Sequence, residues 1–224
     1  MIAKLLLQNT GFVAVMGVLL FASAGMWHWP GAWTFLAISL ALGPAFGFWL
    51  AKTDPALLAE RMRLTARDEQ PAADKKFMRA IVAAVVTWFV VMGIDRRVHP
   101  SEDSFALQAL GLAMYLLSMV CIMWVFRENS FAAPLVKLQA DRGHHVISTG
   151  PYAWVRHPMY SSSVLFFIGV PLLLGSWWGV AMVPLFIGLF AIRMHIEEQT
   201  LVAGLPGYAD YRTHVRYRLV PGLW

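Results

Sequence analysis

Residues 105–126 read FALQALGLAMYLLSMVCIMWVF and contain no Asp, Glu, Lys or Arg. An α-helix rises about 1.5 Å per residue, so about 20 consecutive apolar residues cross the hydrocarbon core of a bilayer. This run is long enough, and it predicts a transmembrane helix. Similar apolar runs occur on both sides of it along the chain, at residues 10–27, 33–51, 77–94, 160–174 and 178–194.

The composition agrees with a chain that lies mostly in a membrane. Apolar residues make up 58% of it and charged residues 14%, which leaves too little polar chain for a separate soluble domain. We therefore predict an all-α integral membrane protein, one integrated domain of about six transmembrane helices. The run at residues 160–174 is short and contains Gly169 and Pro171, so we expect half of a tight hairpin that turns at Gly175 and Ser176.

The basic residues predict how the chain is oriented. All but two of the 18 Lys and Arg residues fall on one side of the predicted spans, and the exceptions are Arg96 and Arg97. Cytoplasmic loops carry an excess of Lys and Arg, so both termini and both long loops are expected in the cytoplasm of a bacterial or archaeal cell. The net charge of +5 is then explained by topology and by anionic lipid. No nucleic acid is expected as a partner, because no basic, aromatic-interleaved motif is present.

The chemistry of the chain divides it into two parts. Residues 1–104 hold three spans and a charged loop in which Leu57, Leu58, Arg61, Met62 and Leu64 suit a short interfacial helix, and this part is expected to be scaffold. Residues 105–224 hold three spans, a polar connector and a tail. Function is expected in the second part.

The densest polar stretch is residues 150–160, GPYAWVRHPMY, which lies between two apolar runs. The last predicted span ends in a second cluster, formed by Arg193, His195, Glu197 and Glu198. Both clusters are expected on the same face of the membrane, so they are predicted to converge in an active site. Each residue also fits an ordinary role, for example Arg156 as an interfacial anchor and Arg193 with Glu197 as an i, i+4 surface pair. Together at a membrane boundary they favour a functional site.

Several short motifs occur in a fixed order in the second part. They are N-x-F at residues 129–131, H-x-V at 144–146, GPYxxVRHPxY at 150–160, and Glu197-Glu198-x-x-Leu201. In this combination the sequence resembles the isoprenylcysteine carboxyl methyltransferase family. That family belongs to a wider group of integral-membrane methyltransferases that includes phospholipid N-methyltransferases. The resemblance runs roughly from Phe105 to the C-terminus.

The resemblance implies a cytoplasmic-face site for S-adenosylmethionine, with S-adenosylhomocysteine as product, built by the last two spans, the connector and the tail. The residues expected to bind this cofactor are His144, Val146, Gly150, Tyr152, Arg156, His157, Pro158, Tyr160, Glu197 and Glu198. Their chemistry is suitable, because a sulfonium and an ammonium are attracted by carboxylates and aromatic faces. No metal is predicted, since adjacent histidines in a loop rarely both bind one.

The implied reaction transfers a methyl group to a lipophilic or amphiphilic acceptor. The predicted catalytic residues are His157, Arg193, Glu197, His214 and Arg216. A carboxylate acceptor needs a cation to orient it, whereas a thiol or an amine needs a base, for which His157, His195 or His214 is available. The tail differs from the prenylcysteine enzymes, because His214 stands where they have an arginine, unless Arg216 reaches in.

Several functions remain open at this stage. Within methyl transfer, the alternatives are a phospholipid N-methyltransferase and a small-thiol S-methyltransferase. Outside it, they are a membrane reductase that uses NADPH and a membrane protein without enzymatic activity. The span interiors are almost free of charge, and polar groups collect at one interface, which favours an enzyme over a transporter.

Overall fold

A computed structural model describes residues 2–62, 72–100, 104–134 and 138–224, without the side chains of residues 72–74. The described residues form helices and loops, with no strand among them. The helices are α1 (Ile2–Ala24), α2 (Pro30–Thr53), α3 (Pro55–Met62), α4 (Ala72–Val98), α5 (Phe105–Glu128), α6 (Pro158–Leu174), α7 (Trp177–Ala181), α8 (Val183–Gly204) and α9 (Tyr208–His214). Two short 3₁₀ turns, Ala140–Arg142 and Gly150–Ala153, lie in the connector between α5 and α6.

The membrane class predicted from the sequence is confirmed. Among the described residues, five helical segments are long and apolar enough to cross a bilayer: α1, α2, α4 from Lys75, α5, and α7 together with α8. The remaining predicted span, at residues 160–174, corresponds to α6, whose 17 residues are apolar but fewer than a typical span needs. At about 1.5 Å per residue it measures about 25 Å, less than the roughly 30 Å of a bilayer core.

Most helices continue beyond the apolar runs that predicted them. For example, α1 begins at Ile2 instead of residue 10, and α8 continues to Gly204 instead of ending at residue 194. Intrahelical hydrogen bonds remain favourable in the polar interface, so a helix does not end where its apolar run ends. The extension of α8 matters for function, because it places Arg193, Glu197 and Glu198 on one rigid helix.

The predicted interfacial helix exists as α3, although Leu64 lies outside the described residues. Asp54 caps α3 through Oδ1, which accepts a hydrogen bond of 2.9 Å from the backbone N–H of Leu57. The guanidinium of Arg61 lies 4.2 Å from the ring centre of Phe126 and donates to the carbonyl of Ala132 at 2.8 Å. Burial lowers the pKa of Arg61 to about 10, so its side chain stays charged at neutral pH.

Helices α5 and α6 form the most extensive helix–helix contact in the described part of the chain. Two glycines face each other in it, since a Cβ built on Gly169 would lie 2.8 Å from the carbonyl oxygen of Gly111. A Cβ on Gly111 would lie 2.3 Å from the backbone nitrogen of Leu173. Small residues let two membrane helices approach at backbone distance. The contact fixes α6 against α5, and thereby the start of α6 against the connector.

The predicted hairpin after α6 is present, with Gly175 in the left-handed conformation at φ 71°. Buried polar groups hold it. The Asp95 carboxylate at the end of α4 accepts from Ser176 Oγ at 2.7 Å and from the backbone N–H of Trp178 at 3.0 Å. The indole N–H of Trp29 donates to the carbonyl of Leu174 at 3.0 Å. These bonds fix the end of the hairpin that lies away from the charged clusters.

Candidate active site

A single buried carboxylate, that of Glu198 on α8, joins the parts of the chain that follow α5. Its Oε1 accepts from Nε of Arg156 at 2.7 Å and lies 3.1 Å from Nε2 of His157. Its Oε2 accepts from Nη2 of Arg218 in the tail at 3.0 Å. A buried charge is tolerated when it is paired and its lone pairs are satisfied, as they are here.

Arg156 extends this network to the tail backbone. Its Nη1 donates to the carbonyls of Val215 and Arg216, both at 2.8 Å. The backbone takes part too, because the N–H of Arg156 donates to Tyr217 O at 2.9 Å and that of His157 to Arg218 O at 3.0 Å. The tail is therefore attached to the RHP motif along several residues. The backbone bonds of Arg156 and His157 fix the two residues that directly precede α6.

The neighbouring carboxylate, that of Glu197, points away from this buried network and towards a cavity. Its side chain is 29% exposed, and Oε2 accepts from the hydroxyl of Tyr160 at 3.0 Å. Nδ1 of His157 lies 3.9 Å from the same oxygen. Successive residues of an α-helix point about 100° apart, since 3.6 residues make a turn. His157 thus stands between a buried carboxylate and one that reaches a cavity.

The cavity lies between the connector, the start of α6, the end of α8 and α9. It brings together most of the residues that the resemblance implied for cofactor binding. Those that line it are His144, Val146, Tyr152, Arg156, His157, Pro158, Tyr160 and Glu197. An active site requires that residues far apart in sequence come together, and they do so here. We therefore take this cavity as the candidate active site.

The connector side of the cavity is held by Asn129. Its Nδ2 donates to the hydroxyl of Tyr152 at 2.8 Å, and its Oδ1 accepts from the N–H of Phe131 at 2.8 Å. The ring of Phe131 lies 4.6 Å from that of His144, centre to centre. Burial lowers the pKa of His144, and the neighbouring charges of His145 and Arg142 lower it further, which favours a neutral ring. Burial raises the pKa of Tyr152, so its hydroxyl remains protonated.

Several lining residues were not among those proposed from the sequence. They are Asn129, Phe131, Ala132, Ala133, His145, Ile147, Met159, Thr200, Leu201, Leu205, Tyr208 and Tyr211. Asn129, Phe131 and Leu201 belong to the motifs, so the motif pattern could have included them. Tyr208 and Tyr211 carry a different signal, the i, i+3 spacing on one face of a short helix after Gly207, whose φ is 83°.

The two tyrosines of α9 differ in their hydrogen bonding. Tyr211 donates to the carbonyl of Tyr152 at 2.7 Å. The hydroxyl of Tyr208 is buried and has no hydrogen-bond partner among the described residues. Burial raises the pKa of Tyr208, and the carboxylates of Glu198 and Glu197 raise it further, so it is a neutral donor. An unsatisfied buried hydroxyl costs about 1–3 kcal/mol, which a ligand in the cavity could recover.

Three residues proposed for the site lie behind the cavity wall instead of lining it. Glu198 is the buried centre of the network described above. Gly150 forms the turn before the motif with φ 56°, where a Cβ would lie 2.5 Å from Cγ of Glu128. Arg193 is buried on α8, donates to the carbonyl of Pro134 in the connector, and interacts with the hydroxyl of Tyr160. Each of them positions a lining residue.

His214 and Arg216, proposed as catalytic, are not brought to the cavity. They line a separate surface depression together with Trp154 and Tyr217, and the side chain of His214 is 73% exposed. His214 is the last residue of α9, and Val215 after it has an extended backbone, with φ −100° and ψ 93°. Val215 is buried, whereas His214 and Arg216 on either side of it are exposed. His195 is likewise exposed, bonded to Gln199 on the outer face of α8.

Comparison with known proteins finds a matching family and a similar fold. Residues 106–205 match the sequence profile of the phospholipid methyltransferase family. Among solved structures, the fold is similar to that of the eukaryotic intramembrane Ras methyltransferase ICMT, isoprenylcysteine carboxyl methyltransferase. The TM-score is 0.58 at 20% sequence identity, over 92% of this chain and 73% of that one. Curated proteins yielded no match. The resemblance expected from the motifs is confirmed, and together these matches support a membrane methyltransferase.

Proposed function

We propose that this protein transfers a methyl group from S-adenosylmethionine to a lipophilic or amphiphilic acceptor at the cytoplasmic membrane interface. The observation that carries the proposal is the cavity itself. It combines the carboxylate of Glu197 with aromatic side chains and with the Tyr208 hydroxyl, which has no partner in the described part of the chain. It opens where α5, α6 and α8 reach the side of the membrane at which the basic residues collect.

The residues of the cavity suit this cofactor. Glu197 is suited to attract a sulfonium or an ammonium, and the faces of Tyr152, Tyr160 and Phe131 offer cation–π contacts. The neutral ring of His144 lies beside Phe131; its Nδ1 accepts from the backbone N–H of Gln139 at 3.4 Å, which leaves Nε2 for a polar group of a nucleoside. Tyr208 adds a hydroxyl that lacks a partner within the described ranges.

When bound, S-adenosylmethionine supplies a methyl group on a positive sulfur, and the electrons of the broken carbon–sulfur bond stay on that sulfur. The protein's own residues hold the reacting groups in position. Arg156 and Arg218 hold Glu198, which holds His157 beside Glu197. Apolar side chains such as Met159, Leu201 and Leu205 line the same cavity. Orientation of two reactants in such a site is worth up to roughly 7–11 kcal/mol.

The positive charges around the cavity indicate which kind of methyl acceptor it suits. Arg156, the guanidinium that lines the cavity among the described residues, is already paired with Glu198 and with two tail carbonyls. The cations predicted to orient a carboxylate, His214 and Arg216, face a different depression. These contacts favour an uncharged amine or thiol as acceptor, for which His157 or Glu197 is placed to take the proton. A phospholipid N-methyltransferase or a small-thiol S-methyltransferase is therefore our second candidate.

Ligand binding to the detergent-purified protein tests the proposal directly. Calorimetry should show binding of S-adenosylmethionine and S-adenosylhomocysteine, with no heat from NADPH as the comparison ligand. Binding of NADPH alone would instead support a membrane reductase. Binding of none of the three would reject the proposed cofactor and favour a role without catalysis.

Tyr208→Phe tests whether the partnerless hydroxyl contacts the ligand. The change removes one oxygen and leaves the ring, so we expect affinity for S-adenosylhomocysteine to fall about 5- to 10-fold, the value of one hydrogen bond of about 1 kcal/mol. The thermal midpoint of the ligand-free protein should not fall, because no hydrogen bond among the described residues is lost. Calorimetry and thermal unfolding measure the two effects.

Tyr211→Phe is the matched control on the same helix. Its hydroxyl donates to the Tyr152 carbonyl, so this variant should lower the thermal midpoint. If Tyr208→Phe lowers the midpoint as much and leaves affinity unchanged, its hydroxyl has a structural role and does not contact the ligand.

A further inference from the structure

A groove separate from the cavity lies where α2 and α5 reach the membrane surface. It is lined by the last turns of both helices and by the residues that follow them, and it has a volume of about 650 Å³. We refer to it as the α2–α5 groove. Its lining residues are Trp49, Thr53, Asp54, Met123, Trp124, Phe126, Arg127 and Ser130.

One part of the groove suits a cation. Asp54 uses Oδ1 to cap α3, whereas Oδ2 is buried and has no hydrogen-bond partner among the described residues. The C-terminal ends of α2 and α5 meet here, and each helix end carries the equivalent of about half a negative charge. Trp49 and Trp124 add aromatic faces, which attract ammonium groups.

The other part suits an anion. Arg127 is exposed at the end of α5, and no hydrogen bond or ion pair joins it to another residue in the described ranges. Ser130 lies three residues further on, is exposed as well and lines the same groove. A guanidinium and a hydroxyl are typical ligands of phosphate oxygens. The groove therefore presents a negative and a positive site at one level of the membrane.

From this charge complementarity we infer that the α2–α5 groove binds the headgroup of a zwitterionic phospholipid that carries a free ammonium. The ammonium lies towards Asp54 and the tryptophans, and the phosphate lies towards Arg127 and Ser130. The acyl chains follow the apolar surface of Met123 and Trp124 along α5. The groove is located at the ends of two membrane-spanning helices, which is the depth at which such headgroups occur.

The groove is distinct from the candidate active site. Ser130 lies in the groove, whereas its neighbours Asn129 and Phe131 line the cavity, so one short segment of the connector forms a wall of each. No residue of the described ranges lines both. Lipid binding can therefore be tested without the methyl donor, and variants of the groove lining distinguish it from binding of a phospholipid acceptor in the cavity.

The experiment measures lipid retention by native mass spectrometry of the full chain. Delipidated protein in detergent is mixed with phosphatidylethanolamine or phosphatidylglycerol of identical acyl chains. We expect one molecule of phosphatidylethanolamine to be retained with at least a fivefold preference over phosphatidylglycerol. Asp54→Asn keeps the oxygen that caps α3 and should abolish the preference, while Arg127→Gln should weaken retention of both lipids at least fivefold.

Matched variants separate the groove from general surface charge. Lys52→Gln and Asp141→Asn remove exposed charges that do not line the groove, and both should retain lipid as the wild type does. Trp124→Leu keeps an apolar surface without the indole face, and it should lower retention even if Asp54→Asn folds poorly. Equal retention of both lipids by the wild type, a preference for phosphatidylglycerol, or unchanged retention in Asp54→Asn and Trp124→Leu would each overturn the inference.

Discussion

Glu198→Ala is expected to abolish binding of S-adenosylhomocysteine, with a loss of at least about 100-fold, or roughly 2.7 kcal/mol. The buried carboxylate is the common acceptor for Arg156, Arg218 and His157. Without it, a buried guanidinium loses its partner, and removing one member of such a pair costs about 3–5 kcal/mol. The tail then loses the attachment of Arg218 to α8, and Arg156 and His157 lose the acceptor that holds them at the cavity wall.

Two readouts make this prediction specific. Calorimetry measures affinity, and limited trypsin digestion measures the tail, where Arg212, Arg216 and Arg218 should become cleavable in the variant. The protein should still elute as a folded particle in detergent, because the helix contacts that hold α8 lie among buried apolar residues. Asp210→Ala is the control, since Asp210 is an exposed carboxylate beside His214 and away from the cavity. Affinity within threefold of wild type in Glu198→Ala would remove this residue from the site.

Gly169→Leu is expected to cause the largest loss of stability. A Cβ added at this position would lie 2.7 Å from the backbone nitrogen of Tyr115 and 2.8 Å from the carbonyl oxygen of Gly111. Backbone atoms cannot rotate away as the end of a flexible side chain can. Overpacking of a tight contact costs about 1–3 kcal/mol, and more when backbones must separate. We expect a loss of about 3 kcal/mol, which corresponds to a fall of about 10 °C in the thermal midpoint at this chain length.

The control for this change is Gly188→Leu on α8. Nothing lies within 4 Å of a Cβ at Gly188, which is exposed on the outside of the helix. Thermal unfolding in detergent should therefore separate the two variants, although the substitution is the same. Equal midpoints would mean that α5 and α6 are not packed at backbone distance in the membrane protein.

A large part of the candidate site was predicted from the sequence because its residues occur in short, ordered motifs. Eight of the proposed cofactor-binding residues line the cavity, for example His144, Tyr152 and Glu197. Their roles at the cofactor, the cytoplasmic orientation and the division into scaffold and catalytic parts remain predictions. Helices of the two parts do pack together, α2 against α6 and α4 against α7 and α8.

The predictions that the structure changed concern the direction of side chains. His214 and Arg216 were expected at the cavity because the resemblance extends through the tail, yet both are exposed on either side of the buried Val215 and line a separate depression. Tyr208 was not predicted as a site residue, because nothing in the sequence shows that it lines the cavity. Its hydroxyl becomes informative only when it is buried against α8 without a partner among the described residues.

The sequence by itself determined that the chain lies in a membrane as helices, because run length and charge content are local properties that the bilayer selects directly. It also determined which residues have polar chemistry at one membrane face. Only the tertiary structure decided that Glu198 is a buried support while its neighbour Glu197 reaches the cavity, and that the tail closes over the RHP motif. These features depend on contacts between segments as far apart as Arg156 and Arg216, and the free energy of such contacts is set by packing and burial in three dimensions.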